Sequence, residues 1–92
     1  MKTIFKYPLL PHLPSFMMPV GAQVLTVQTQ QEKPYVWALV DPTEKASEVR
    51  SFYIYGTGHD MAGDPGKYVG TFQLEGGALV FHVFDQSTHP KD

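Results

Sequence analysis

Proline and glycine restrict what this chain can form more than any other feature of its sequence. Eight prolines and eight glycines occur among its 92 residues, and they divide the chain into segments of about five to ten residues. Proline breaks the hydrogen bonding of a helix interior, so this spacing leaves no room for a helix longer than about two turns. Short segments between turns are typical of antiparallel β-sandwiches and small barrels.

The composition predicts a packed domain. Hydrophobic residues make up 42% of the sequence, aromatic residues 13% and charged residues 17%, whereas disordered chains are poor in aromatics and rich in charge. A chain of this length has room for one hydrophobic core. We therefore expect a single all-β domain over residues 1–84 and a polar, fraying tail over residues 85–92.

Charge and cysteine content exclude several classes of function. Seven basic and nine acidic residues give a formal net charge of -2, which repels a phosphate backbone and disfavours general nucleic-acid binding. The absence of cysteine excludes disulfides, thiolate metal sites and cysteine nucleophiles. No apolar run is long enough for a membrane span, and the first residues lack the apolar stretch of a signal peptide, so we expect a cytoplasmic protein without membrane contact.

Hydrophobic patterns predict an antiparallel β-sandwich or small barrel of six to seven strands, with at most one short helical turn. The predicted strands cover residues 3–7, 15–18, 23–30, 35–40, 49–55, 67–74 and 78–84. Prolines flank the second of these, which favours an edge position. The pattern Asp41-Pro42-Thr43-Glu44 is typical of a helix start, but only Ala46 and Val49 after it could face a core, so we expect one helical turn at most.

Two aromatic residues are predicted to lie in the core. Residues 35–40 are apolar on both faces, which favours an interior strand with Trp37 as an anchor. In residues 67–74, strict alternation places Tyr68 on the same face as Phe72, and we expect Phe72 to be largely buried.

The glycine-rich segment over residues 56–66 is the first candidate site, because glycine backbone can approach a ligand closely and offer N–H groups to an anion. With the preceding tyrosine, the candidate ligand- or partner-binding residues are Tyr55, Gly56, Thr57, Gly58, His59, Asp60 and Asp64. No helix and no Lys-Ser/Thr pair follows, as a phosphate-binding loop would require. The alternative, which we favour, is a surface loop whose glycines adopt positive φ.

Histidines raise two further hypotheses. His59 could bind a metal with Asp60 and Asp64, or act as a base oriented by Asp60. Aspartates in such loops more often bond to their own backbone, so we predict no metal and no cofactor. His82 lies between apolar residues, and we expect a hydrogen-bonded core residue because no motif supplies a nucleophile.

The tyrosines could stack bases, but their strands lack the basic residues that accompany such a surface. They are Tyr7, Tyr35, Tyr53, Tyr55 and Tyr68. We interpret them as core residues and as candidates for a protein interface, where tyrosine is enriched.

Several motifs together resemble a family of small, functionally uncharacterised proteins encoded by tailed bacteriophages and bacterial prophages. They are MKTI at residues 1–4, KYPL at 6–9, WALVDP at 37–42, YGTGH at 55–59, DPG at 64–66, and YVGTFQ at 68–73 followed by GGALVFHVF at 76–84. The resemblance covers residues 1–84, and residues 11–18 are less typical of the family, so a partner contact made there would be particular to this member.

The resemblance implies a context and transfers no catalytic residues. It favours a non-enzymatic phage protein in the host cytoplasm that inhibits a bacterial defence component, such as a CRISPR effector, through protein–protein contact. An alternative is a homo-oligomer whose loops over residues 56–66 sequester a nucleotide signal. A third hypothesis is a small hydrolase that uses His59 or His82.

Overall fold

The computed structural model describes residues 1–87, which form two antiparallel sheets of three and four strands packed as a sandwich. The strands are β1 (Thr3–Pro8), β2 (Ser15–Pro19), β3 (Gln23–Gln30), β4 (Lys33–Val40), β5 (Ser47–Gly56), β6 (Lys67–Leu74) and β7 (Leu79–Asp85). A short 3₁₀ turn, Glu75–Gly77, joins β6 to β7. The all-β prediction is confirmed, with seven strands and with a sandwich in place of a barrel.

The strand order agrees with the patterns in the sequence. The three-stranded sheet has the order β1-β4-β3, and the four-stranded sheet has the order β2-β5-β7-β6. The apolar strand β4 is therefore interior, and the proline-flanked strand β2 is an edge, as predicted. Alternate residues of β4 point between the sheets, where Val36, Ala38 and Val40 are buried.

The core confirms one predicted aromatic anchor and corrects the other. Phe72 is buried, with 5% of its surface exposed. Trp37 is only half-buried, because Val36 and Ala38 take the inward positions of β4 and leave Trp37 on the outer face. There the Lys6 ammonium lies 5.8 Å from the Trp37 ring centroid. A strand that is apolar on both faces does not reveal which face packs inward, and here the smaller side chains do so.

A β-bulge in β6 corrects the predicted face of Tyr68. The register with β7 shifts between Tyr68 and Gly70, so one extra residue interrupts the alternation. Tyr68 consequently lies on the outer face, opposite Phe84, whereas Val69 packs against the core. The strict alternation expected for residues 67–74 holds only beyond this bulge.

The two long sides of the sandwich are built differently. On the closed side, β3 and β6 pack together, and a Cβ atom on Gly70 would lie only 2.8 Å from Cγ1 of Val27. On the open side, β1 and β2 are both sheet edges. Their aromatic rings meet between the sheets, where Phe16 stacks on Tyr7 at 5.6 Å and on Phe52 at 5.4 Å.

A largely buried ion pair extends the fold past the predicted domain end at residue 84. Nη2 of Arg50 lies 3.0 Å from Oδ2 of Asp85, and the two side chains are only 13% and 11% exposed. Nη1 of Arg50 also donates to the Ala22 carbonyl oxygen at 3.0 Å. Strand β7 therefore includes Asp85, the first residue of the predicted tail. Residues 88–92 of that tail lie outside the described residues.

The segment after β4 forms a turn and no helix. The Thr43 hydroxyl and N–H both donate to Oδ1 of Asp41, at 2.7 Å and 3.0 Å. The Glu44 N–H donates to the Asp41 carbonyl oxygen at 3.0 Å, which closes a single turn. The hydrogen bond from the Thr43 hydroxyl is the main reason that the pKa of Asp41 is below its ordinary value, and the hydrogen bond from the Thr43 N–H is the second.

Candidate functional site

The outer face of the four-stranded sheet carries a group of aromatic side chains, which we call the tyrosine face. Its members are Tyr53 and Tyr55 of β5, Tyr68 of β6 and Phe84 of β7. The register places Phe84 between Tyr53 and Tyr68 in one cross-strand row. Ring centroids of Tyr68 and Tyr55 lie 5.5 Å and 5.8 Å from that of Phe84, both edge to face. Three of the rings are therefore in contact with one another through Phe84, and Tyr53 lies beside them in the same row.

Strand periodicity and the bulge together create this face. In β5, Phe52 and Ile54 point into the sandwich, so Tyr53 and Tyr55, which alternate with them, point outward. The bulge in β6 adds Tyr68, which would otherwise share the inward face of Phe72. Tyr68 is 56% exposed and Tyr53 is 38% exposed. The face is thus accessible to a partner, while Phe84 is half-buried beneath its neighbours.

His82 lies beside these rings and organises three hydroxyl groups. Nε2 of His82 lies 2.6 Å from Oγ1 of Thr57, and Nδ1 lies 2.9 Å from Oγ1 of Thr71. The Tyr68 hydroxyl lies 2.6 Å from the same Thr71 oxygen. His82 is therefore hydrogen-bonded, as predicted, but it lies on the outer side of the sheet beside the tyrosine face and not in the core. The chain of bonds holds the three hydroxyl oxygens in place.

The contact between Thr57 and His82 has part of the geometry of a nucleophile and its base. In catalytic triads of that type, a carboxylate usually orients the imidazole and stabilises its charged form. Here the second ring nitrogen meets the Thr71 hydroxyl. A hydroxyl orients the ring but supplies no negative charge. The arrangement is consequently better suited to ordering a binding surface than to activating Thr57.

The first part of the glycine-rich loop folds against β7. The Thr57 N–H donates to the Val80 carbonyl oxygen at 3.2 Å, and the His59 N–H donates to that of Gly56 at 3.1 Å. A Cβ atom on Gly56 would lie 2.8 Å from Cε1 of His59, so the imidazole lies over this glycine. These residues border a cavity of about 260 Å³ against the start of β7. Its lining residues are Gly56, Thr57, His59, Ala78, Leu79, Val80 and Phe81.

The second part of the loop lies apart from that cavity. Asp60 and Asp64 are exposed and do not line it. Oδ1 of Asp64 accepts a hydrogen bond from the Gly66 N–H at 2.9 Å, which is the local turn contact that we favoured over metal binding. Gly58 and Gly66 adopt positive φ, also as expected for a surface loop. Within residues 1–87 there is no cluster of three or more potential metal ligands of the His, Cys, Asp or Glu type.

A larger cavity, about 400 Å³, opens near the bulges of β3 and β6. Arg50, Lys67 and Asp85 line it, and Arg50 is paired with Asp85 across a 3.0 Å contact. A bound anion would have to compete with the Asp85 carboxylate for this guanidinium, whereas Lys67 forms no salt bridge among residues 1–87.

Sequence patterns found part of this site. The structure brings Tyr55 and Thr57 to the outer face beside His82, whereas Gly56 and His59 line the cavity at the start of β7, and Asp60 and Asp64 lie apart from both. The role of Phe84 at the centre was missed, although its alternation with Val83 was a usable signal. No helix among residues 1–87 has the length and apolar character to cross a membrane.

Comparisons with known proteins place the chain in a family. Neither the search of the curated proteins nor the search of the solved structures found a match. The profile of the family described as Domain of unknown function (DUF7352) matches residues 1–92. The match spans the whole sequence and confirms the expectation of a family without an assigned function, but it shows no phage origin. The chain therefore belongs to the DUF7352 family.

Proposed function

We propose that this protein acts by binding another protein, with the tyrosine face as its contact surface. The observation that supports this proposal is the group of outward-facing rings in which Tyr55 and Tyr68 contact Phe84, with the exposed Tyr53 in the same row. Tyrosine is enriched at interface hot spots, because it contributes a large contact area and a hydroxyl with few rotatable bonds. The rigid sheet beneath these rings reduces the entropy lost on binding.

The chemistry of the face favours a protein over a nucleic acid. Its aromatic members and the threonines beside it carry no formal charge. Interface centres are depleted in charged residues, whereas surfaces that stack bases also need cations for the phosphates. Arg50, on a neighbouring part of β5, points inward and is paired with Asp85. The partner surface should therefore be mainly apolar, with polar groups that meet the ordered hydroxyls.

A finer form of this proposal follows from the resemblance to phage and prophage proteins. In that form the chain is a non-enzymatic inhibitor, it acts in the cytoplasm of a bacterial host, and its partner is a defence component such as a CRISPR effector. The absence of a carboxylate from the hydrogen bonds that the structure shows for His82 supports binding over hydrolysis.

Substitutions on the two sheets test the proposal. The chain captures partners from a bacterial lysate, mass spectrometry identifies them, and affinity is then measured with the purified partner. Tyr55→Ala and Tyr68→Ala should each weaken binding by more than about 2 kcal/mol. Tyr35→Ala is the matched control, because Tyr35 is a half-buried aromatic residue of the other sheet. If Tyr35→Ala lowered the affinity for the partner as much as the two tyrosine-face variants do, the proposal would be contradicted.

Nucleotide binding is the second candidate, supported by the cavity beneath Gly56 and His59. It predicts a saturable rise in melting temperature with cyclic or linear nucleotides. Gly56→Ala, which crowds the His59 ring, and Gly58→Ala, which sits at a φ of 86°, should both abolish that rise. Protein recognition predicts no thermal shift with any nucleotide. A saturable shift lost in both variants would therefore replace the leading proposal.

A further inference from the structure

We infer that two copies of this chain associate through the free edge of β2, which joins their four-stranded sheets into one sheet of eight strands. The inference goes beyond the proposed partner binding, because it concerns the open side of the sandwich and not the tyrosine face. It rests on the direction of the backbone groups of β2, on their symmetry, and on the apolar character of the residues around them.

The hydrogen bonds between β2 and β5 show which backbone groups of β2 point away from β5. The Phe52 N–H donates to the Pro14 carbonyl oxygen at 2.8 Å, and the Val20 N–H donates to that of Ala46 at 3.0 Å. Hydrogen-bonded pairs alternate along an antiparallel ladder. Phe16 and Met18 therefore also direct their backbone groups toward β5, whereas Ser15 and Met17 direct theirs toward the free edge.

This pattern is complementary to itself. When two β2 strands lie antiparallel about a twofold axis at Phe16, Ser15 of one copy faces Met17 of the other. Both residues direct an N–H and a carbonyl toward the neighbouring copy, so the two pairs form closed hydrogen-bonded rings. Pro14 and Pro19 limit the pairing to this short stretch.

Edge strands usually resist such pairing through charged side chains, and β2 has none. Met17 is 55% exposed, and Phe5, on the inner face of the neighbouring edge strand β1, is 43% exposed. An apolar cavity of about 170 Å³ opens along the same side, lined by Tyr7, Pro8, Leu10, Leu13, Phe16 and Met17. A second uncharged β2 strand suits this surface, because it brings no like charge and covers apolar groups.

The axis of this arrangement is perpendicular to the sheet, so it also determines where the tyrosine faces lie. Both copies present their outer faces on the same side of the eight-stranded sheet. The dimer consequently offers two equivalent partner sites in one plane, which increases avidity for a partner that is itself dimeric or repeated.

Sedimentation equilibrium of the full chain across a concentration series tests the inference. The wild type should change from the 10.3 kDa monomer to twice that mass as concentration rises. Met17→Lys should keep the monomer mass throughout, since it places a charge at the paired edge. Met17→Pro should do the same, because it removes the outward N–H and leaves the bonds of Phe16 and Met18 to β5 in place. Leu25→Lys is the matched control, a 44% exposed apolar residue of β3, and it should still dimerise.

Thermal unfolding of the same samples separates loss of association from loss of folding. The mass of a variant is interpreted only when the variant unfolds cooperatively. Met17→Lys changes a side chain and Met17→Pro removes a backbone N–H, so either variant can supply the result if the other does not fold. A wild type that remains a monomer at millimolar concentration would overturn the inference. A dimer that survives in a folded Met17 variant, or one that Leu25→Lys also dissociates, would equally overturn it.

Discussion

The closed and open sides of this sandwich differ in how closely the edge strands of the two sheets pack together. On the closed side, a glycine at position 70 lets β6 approach Val27 of β3, and Phe72 is buried beside it in the same strand. On the open side, prolines keep β2 short, and Phe5 and Met17 remain exposed although they lie on strands. The closed side is therefore tightly packed, whereas the open side leaves apolar surface available for association.

The largest expected difference compares one phenylalanine on each side. Phe72→Ala should lower the free energy of unfolding by about 3 to 5 kcal/mol, because it leaves a cavity in a packed core. Phe5→Ala should cost less than about 1 kcal/mol in the monomer, since its ring is already partly in water. Urea unfolding of the two variants at low concentration measures both values. Similar losses would mean that the two sides are equally packed.

A second comparison concerns the ion pair near the closed side. Asp85→Ala leaves the largely buried Arg50 guanidinium without its carboxylate and should cost on the order of 3 kcal/mol. Glu48→Ala removes the other carboxylate, 3.6 Å from Arg50 and 43% exposed, and should cost less than about 1 kcal/mol. Thermal and urea unfolding at neutral pH give both numbers. If Glu48→Ala proved the more damaging change, the Arg50–Asp85 contact would not be the main one.

A smaller effect tests the close approach of β3 and β6 directly. Gly70→Ala places a methyl group within 2.8 Å of Cγ1 of Val27, whose side chain is buried and branched, and should cost about 1 to 3 kcal/mol. Met17→Ala on the open side is the control and should stay within about 0.5 kcal/mol of the wild type as a monomer. A Gly70→Ala variant as stable as the control would show that β6 can move away from β3 freely.

The smallest effect is expected at the turn that carries the chain from β4 in one sheet to β5 in the other. Thr43→Val removes the hydroxyl bond to Asp41 and should raise the pKa of that carboxyl toward its ordinary value. A carboxyl with a lowered pKa stabilises the fold above its ordinary pKa, and that contribution disappears as pH falls through the lowered value. As pH falls, the variant should therefore lose the stabilisation from the Asp41 carboxylate at a higher pH than the wild type does. NMR titration of Asp41 checks this, and an unchanged titration would contradict it.

Particular residues show how far the sequence predicted the site. Tyr55, Gly56, Thr57 and His59 are neighbours in sequence, so a candidate segment found by its glycines also brings them together in space. Asp60 and Asp64 belong to the same segment, but local turn bonds such as that of Asp64 keep the second half of the loop away from the cavity. The face of Tyr68 could not be predicted, because a bulge depends on the register with β7.

Proline and glycine spacing, together with alternation of apolar residues, determined the fold class, the seven strands, the edge position of β2 and the interior position of β4. These are local properties, because a break or a period of two acts within a few residues. The tertiary structure decided that Trp37 lies outside, that Tyr68 joins Phe84, and that His82 meets Thr57 and Thr71. Each of these depends on which strands become neighbours and in what register, and that is chosen by the packing of the two sheets as a whole.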